Sequence, residues 1–413
     1  MLHKQRYHRL KPDVGSLVFL TFFLVFFGIL GSSTYVYAFP WDPQPPIPND
    51  DPPRWEKVKT LWNKHYGGDN LDELISTLNS LKEVYPAKIE PILLLAKAHY
   101  LHARYKSQDR KEHFEKSEQY ALQACKMDPK NLYALTTLIE TLCYSRDHNY
   151  IFSKYGALIR SYAPVKDTTE ALPDMKYPGW NAFKALWLAR LDVEKGKAAV
   201  SMVEKMAREN PADGLAQTWA SRANYYVGQY YTSTDEHDKS MTYYKQGIAY
   251  GSLARKLLPN SVPANYWYML NQSRSIQFTS LVNKSFYLKS ILDPIYFCSR
   301  ENSLYYFCGP VISLATIVTN GGWITEKGMH LVNITLEMDL NGLEIASILF
   351  PHYYYIPYAW ADVLAYKGKK AEALAILEKI MASDPNVDPL IPENHCFIRL
   401  AKRLYNDIKQ GKN

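Results

Sequence analysis

The sequence predicts an all-α protein, a solenoid of antiparallel helix pairs standing behind an N-terminal signal peptide or membrane anchor. Three observations predict it. From Trp55 onward apolar residues recur at spacings of three and four, which places them along one face of a helix. Asp-Pro and Asn-Pro pairs stop these runs at intervals. A basic, then apolar, N-terminal stretch followed by a proline-rich one separates this helical body from whatever the chain is exported through or anchored in. The resulting regions are 1–38, signal or single anchor; 39–54, linker; and 55–413, helical-repeat domain.

Composition narrows the function classes. With 413 residues and 47% hydrophobic positions the chain can bury a sizeable core. Its net charge of +7 is partly terminal, because residues after 38 carry 44 bases against 40 acids. No run of five or six bases occurs, which argues against nucleic-acid binding. Thirty-three tyrosines, 24 prolines and five cysteines exclude collagen, a coiled coil, a multi-span membrane protein and a disulfide-stapled miniature.

At the N-terminus Lys4, Arg6, Arg9 and Lys11 precede an uncharged stretch from Val14 to Trp41. That is an export signal. Its polar end at Ser32, Ser33 and Thr34, with small Ala38 behind, suits cleavage, whereas its 28-residue length also suits retention as one membrane span. Either way the basic end stays cytoplasmic and the body lies in the periplasm or another extracytoplasmic space, secreted or anchored. From Phe39 to Arg54 seven of sixteen residues are proline, which favours an extended spacer over helix or sheet.

The helices of the body follow in order. Leu81 before Pro86 closes a half unit, and Pro91–Ala103 is a connecting helix. Ser117, Ala121 and Ala124 lead to Pro129, with a loop insertion expected over Ser107–Lys116. Leu132–Cys143 is the next connector, Tyr162–Pro178 an irregular one, and Asn181–Glu194 a helix. Ala199, Val203 and Met206 lead to Pro211; Gly247, Gly251 and Ala254 lead to Pro259. Between those two lie a helix from Gly214 to Tyr226 and an expected loop over Tyr231–Ser240.

The fullest copy is C-terminal. Ala361, Leu364, Gly368, Ala373, Leu377, Ile380 and Pro385 stand at separations of 3, 4, 5, 4, 3 and 5. Small Ala361 and Ala373 allow two helices to approach closely, Gly368 makes the turn, and Pro385 stops the second helix. These separations resemble the tetratricopeptide (TPR) motif, over one unit from about Tyr354 to Asp388.

From Pro263 to Gly322 the pattern is more particular. Ala264 to Asn271 opens a helix containing Tyr266 and Trp267 and reaching Arg274; Tyr305, Tyr306 and Phe307 precede Cys308, Gly309 and Pro310; and Gly321, Gly322 and Trp323 follow an apolar segment. This order resembles the periplasmic TPR T-component associated with TRAP transporters, although Val311 and Ile312 stand where that family often has a histidine. The resemblance implies an all-helical extracytoplasmic protein that assembles into a ring and serves as accessory to a solute transporter, presenting an apolar channel.

The residues themselves suggest ligand or partner contacts. Tyr353, Tyr354 and Tyr355, near Tyr358 and Trp360, point several ways around a helix start, so at least one is expected to face outward as an aromatic recognition patch. Asn271 and Arg274 share a helix face one turn beyond Trp267, an arrangement suited to a carboxylate in an apolar groove. Tyr305 and Tyr306 would line a mouth. Each set has a plainer reading as core packing. Cys298 and Cys308 are the only cysteines close in sequence across an expected turn, and are either a disulfide or two buried thiols.

No serine-nucleophile elbow, phosphate-cradling glycine loop, zinc helix or paired-cysteine spacing occurs, so neither catalysis, metal nor cofactor is expected. What remains is a non-catalytic interaction protein, either a scaffold or subunit in a membrane-associated complex or an accessory that binds a small organic or apolar molecule. Its partners would be proteins in or at the membrane, and copies of itself.

Overall fold

The computed structural model describes residues 52–412 apart from residues 63, 65–69, 107, 165–176, 260, 278–280, 302–304, 332–335 and 388–389. The export segment and nearly all of the proline-rich linker lie outside that range, as does most of the connector expected over Tyr162–Pro178. Among the described residues the fold is entirely helical, with seventeen helices and no strand, and no helix is long and apolar enough to cross a membrane.

The first six helices are α1 (Pro52–Trp62), α2 (Leu71–Val84), α3 (Glu90–Tyr105), α4 (Arg110–Met127), α5 (Leu132–Ser145) and α6 (His148–Ser161). Next come α7 (Trp180–Leu188), α8 (Val193–Glu209), α9 (Gly214–Ser233), α10 (His237–Leu257) and α11 (Val262–Ile276). The chain finishes with α12 (Leu281–Glu301), α13 (Tyr305–Leu331), α14 (Leu336–Leu349), α15 (Tyr355–Tyr366), α16 (Lys370–Ala382) and α17 (Ile391–Lys409). Within each series consecutive helices pack on one another.

Local chemistry sets the helix ends. Helices α2, α4, α8 and α10 stop at Val84, Met127, Glu209 and Leu257, each two residues before a proline, because proline's ring excludes the helical conformation from the residue ahead of it. Side chains of Asn131, Asp147, Asp192, Asp213 and Ser261 accept from backbone amides in the first turns of α5, α6, α8, α9 and α11. Gly368 makes the expected turn between α15 and α16 at φ +79°, while Ala361, Leu364, Ala373, Leu377 and Ile380 are all buried.

Several expectations are corrected. The helix expected from Asn181 to Glu194 breaks after Leu188: Asp192 caps α8, and the Arg190 carbonyl in the break accepts from the Tyr226 hydroxyl at 3.0 Å. The insertions expected over Ser107–Lys116 and Tyr231–Ser240 are mostly helix, belonging to α4, α9 and α10. The turn expected at Gly309–Pro310 is absent, because both residues lie within α13. Tyr306, Phe307 and Cys308 have φ of 48°, 57° and 60°, and Pro310 sits inside α13. Three adjacent left-handed residues cost on the order of 1–2 kcal/mol each and persist only because surrounding packing holds them.

Contacts also run beyond neighbours in sequence. Helix α14 packs on α5 and α6, and α17 packs on α9. The chain therefore folds back, and its C-terminal helices bridge the two earlier helical series.

Candidate functional site

The fold-back buries an aromatic seam between α9, α11, α13, α15 and α17. Trp267 of α11 is 2% exposed and lies with ring centroids 4.8 Å from Tyr306, 5.1 Å from Tyr266 and 5.6 Å from Tyr225. Its indole nitrogen donates to the Tyr305 hydroxyl at 3.1 Å. The rings continue from Tyr306 to Tyr353 at 5.7 Å, and Tyr355 stacks on Phe397 of α17 at 4.5 Å. Offset and edge-on pairs of this kind add about 0.5–1.5 kcal/mol each beyond the area they bury.

Within the seam is a small cavity, about 20 Å³ measured to water centres, enough for one or two water molecules. Helix α9 contributes Arg222, Tyr225, Tyr226 and Gln229 to its wall, and α17 contributes Glu393 and Phe397. Trp187, Trp267, Tyr306 and Tyr353 complete it. The Arg222 guanidinium lies 4.6 Å from the Trp219 ring centroid, 4.9 Å from Trp267, 5.3 Å from Tyr306 and 5.4 Å from Trp187, so ring faces surround it as cation–π partners. The Glu393 carboxylate takes Arg190 Nη2 on both oxygens, at 2.8 and 3.0 Å, in a buried ion pair. Gln229 is 3% exposed, and neither its amide nitrogen nor its amide oxygen has a hydrogen-bond partner.

The residues singled out from sequence divide as follows. Trp267, Tyr306 and Tyr353 line the cavity, and Tyr305 supports Trp267 from behind. Asn271 does not face it with Arg274. Its amide nitrogen donates to Ser221 O at 3.0 Å and Trp267 O at 2.8 Å, locking α11 against α9, and it is fully buried. Arg274 instead reaches the Tyr355 hydroxyl at 3.0 Å and Gln277 Oε1 at 3.3 Å. Burial opposes its charge, but Tyr355, Tyr225, Tyr244 and Tyr358 around it hold its pKa well above the usual arginine value. Burial likewise pushes the Tyr225 phenol up to about 12.

The expected outward-facing tyrosine patch is corrected. Tyr353, Tyr354 and Tyr355 are 3%, 6% and 2% exposed, because the fold-back of α17 covers them; Tyr354 N donates to Asn394 Oδ1 of α17 at 3.2 Å. Cys298 and Cys308 are both buried thiols, the second of the two alternatives, with Cys298 Sγ donating to Val262 O at 3.7 Å.

Arg222, Gln229 and Glu393 were not legible as site residues. Arg222 and Gln229 sit on a helix that reads as an ordinary connector, and Glu393 lies 171 positions beyond Arg222. The one available signal was a set of polar residues, Gln217, Thr218, Ser221, Arg222, Asn224 and Gln229, spread along a helix whose residues are nearly all buried. Among the described residues no group of three or more histidine, cysteine or acidic side chains has the geometry to hold a metal ion. No protein-family model matches the chain, and no curated protein is significantly similar to it.

Proposed function

We propose that this chain is a non-catalytic, TPR-like interaction protein acting outside the cytoplasmic membrane, as a scaffold or subunit of a membrane-associated complex. The observation that carries the reading is the α15–α16 pair. There the small residues Ala361 and Ala373 and the apolar Leu364, Leu377 and Ile380 are buried at the motif spacing, and Gly368 forms the turn. Stacked helix pairs of this kind present extended surfaces to proteins rather than a reaction centre. The basic and apolar N-terminus with its proline spacer supports placement at the membrane, where a tether raises the effective concentration of partners.

A second reading, an accessory to a solute transporter that binds a small molecule, is favoured by one observation: the small cavity inside the aromatic seam. Affinity capture of the full-length chain from its native membrane in mild detergent, with mass spectrometry of partners and of its own N-terminal peptide, separates the two. An intact apolar segment recovered with one membrane complex supports the scaffold; a chain beginning near Phe39 accompanied by transport proteins supports the accessory. Recovery of the chain alone, without any stoichiometric partner, removes both.

A further inference from the structure

We propose that the facing ring nitrogens of His99 and His113, between α3 and α4, are a binding site for one divalent copper ion. Their Nδ1 atoms lie 3.0 Å apart. The ring centroids are 4.8 Å apart, closer than two rings meeting end-on across that distance could come, so the nitrogen axes bend away from the line joining them, as they do when two imidazoles hold one ion. Metal–nitrogen bonds of about 2.0 Å across this 3.0 Å gap enclose an angle of about 97°, close to that of adjacent square-planar positions, whereas a tetrahedral angle needs a gap of about 3.3 Å.

His102 supplies the second observation. Its Nε2 lies 3.0 Å from the Asp72 carboxylate, which fixes the ring proton on that nitrogen and leaves Nδ1 a bare lone pair. That Nδ1 is buried without a hydrogen-bond partner, in a side chain 5% exposed. The His102 ring stacks on His113 with centroids 3.5 Å apart, so the free acceptor stands beside the facing pair, where water on the ion's open positions would meet it. Burial foremost lowers the pKa of all three rings, which keeps their nitrogens available to a metal at neutral pH. The ring that donates within the pair shifts its proton from Nδ1 to its own Nε2, so binding releases none. Surrounding charges balance: Lys82, Lys106 and Lys116 stand against Asp72, Asp109 and Glu112, with Lys106 on Asp72 and Lys116 on Glu112. With two protein nitrogens rather than three in place, copper(II) is selected over zinc, because it binds imidazole more strongly and takes it in adjacent square positions. The ion would tie α3 to α4, whichever proteins the chain joins.

The test is electron paramagnetic resonance of the full-length protein in detergent with one equivalent of copper(II) sulfate in a non-coordinating buffer. A His3→Ala background removes the chelate that a free Met1–His3 terminus offers. The spectrum should show one copper per chain coupled to two imidazole nitrogens, and hydrogen exchange should slow in residues 90–127, which span α3 and α4. Zinc(II) should compete at least about tenfold more weakly. His113→Gln, at a partly buried position, should lose the two-nitrogen signal and weaken copper binding at least about tenfold at unchanged helix content. His99→Phe should do the same, and His113→Gln decides the matter if that more deeply buried variant fails to fold. No bound copper, or a two-nitrogen signal that persists in His113→Gln, would overturn the proposal. Zinc(II) binding as tightly as copper(II), or copper bound without any change in exchange over α3 and α4, would overturn it too.

Discussion

Glu118 shows how a buried charge is made tolerable at a single residue. It accepts from Arg146 Nη2 at 2.9 Å, Tyr150 at 2.8 Å, Lys154 at 3.1 Å and, closest of all, the Tyr155 hydroxyl. Burial pushes its carboxyl up, but the hydrogen bonds from Tyr155, Tyr150, Arg146 and Lys154 outweigh that and hold its pKa at about 2. Its contribution is therefore complete above the ordinary carboxylate value of 4.5 and is lost as pH falls from there towards 2. Glu118→Gln should cost about 3 kcal/mol at neutral pH, read as a lower denaturant midpoint with an unchanged slope. Gly247 makes the opposite point about size. A Cβ there would stand 2.2 Å from Asn271 Oδ1, so Gly247→Ala, which normally favours a helix, should destabilise by about 1–3 kcal/mol. Adding Asn271→Ala to that variant should recover part of the loss in the Gly247→Ala background; full additivity of the two costs would show that they do not meet. Neither contact is readable from sequence, since Glu118 and Asn271 resemble any polar residue on a helix.

Among elements, the α2–α3–α4 packing concentrates histidines. His99 Nδ1 lies 3.0 Å from His113 Nδ1, His102 stacks on His113 at 3.5 Å, and His102 Nε2 is 3.0 Å from Asp72, which Lys106 also engages. Burial foremost, then the neighbouring charges of His113, Lys116, His102 and Lys82, push His99 down to about 3. Burial lowers His102 and His113 as well. An unfolded histidine protonates near 6.5, so the folded state is fully favoured above that value and loses stability as pH falls through 6 and 5 towards 3. From pH 7 to pH 5 the loss from His99 should approach about 2 kcal/mol, with hydrogen exchange rising first in α2–α4. His99→Phe should flatten that dependence, and an unchanged slope would relocate it. At this scale the sequence was largely legible where backbone chemistry decides, as at the four helices that end two residues before a proline. It misled at Asn181–Glu194, where apolar periodicity runs on but the Asp192 cap and the Tyr226 bond to the Arg190 carbonyl divide the helix.

Over the whole molecule the decisive feature is the return of α17 to α9. Arg190 and Glu393 pair in the interior, Arg399 Nε donates to Ser233 Oγ at 3.0 Å, and Arg403 donates to Thr232 O at 3.3 Å and Ser233 O at 3.2 Å. Glu393→Met alone should cost about 3–5 kcal/mol, because it strands the Arg190 charge, whereas Arg190→Met with Glu393→Met should cost markedly less. A denaturation series on the two single variants and the pair measures that coupling. A chain of neighbour-only repeats would unravel from its end; this closure predicts that residues 180–409 lose structure together, checked by coincident fluorescence and circular-dichroism transitions. By itself the sequence determined the helical class, several of the helix ends and the turn at Gly368, because these depend on residues within a few turns of one another: a proline ahead, a cap behind, a glycine at the turn. Only the tertiary structure decided that the three tyrosines at 353–355 are covered and that Asn271 ties helices together. It alone also brings Arg222 and Gln229 to meet Glu393 around one cavity. Those outcomes depend on where α17 lands, and a contact between α9 and α17 is selected by the summed packing of the helices between them, which leaves no periodic trace in either segment.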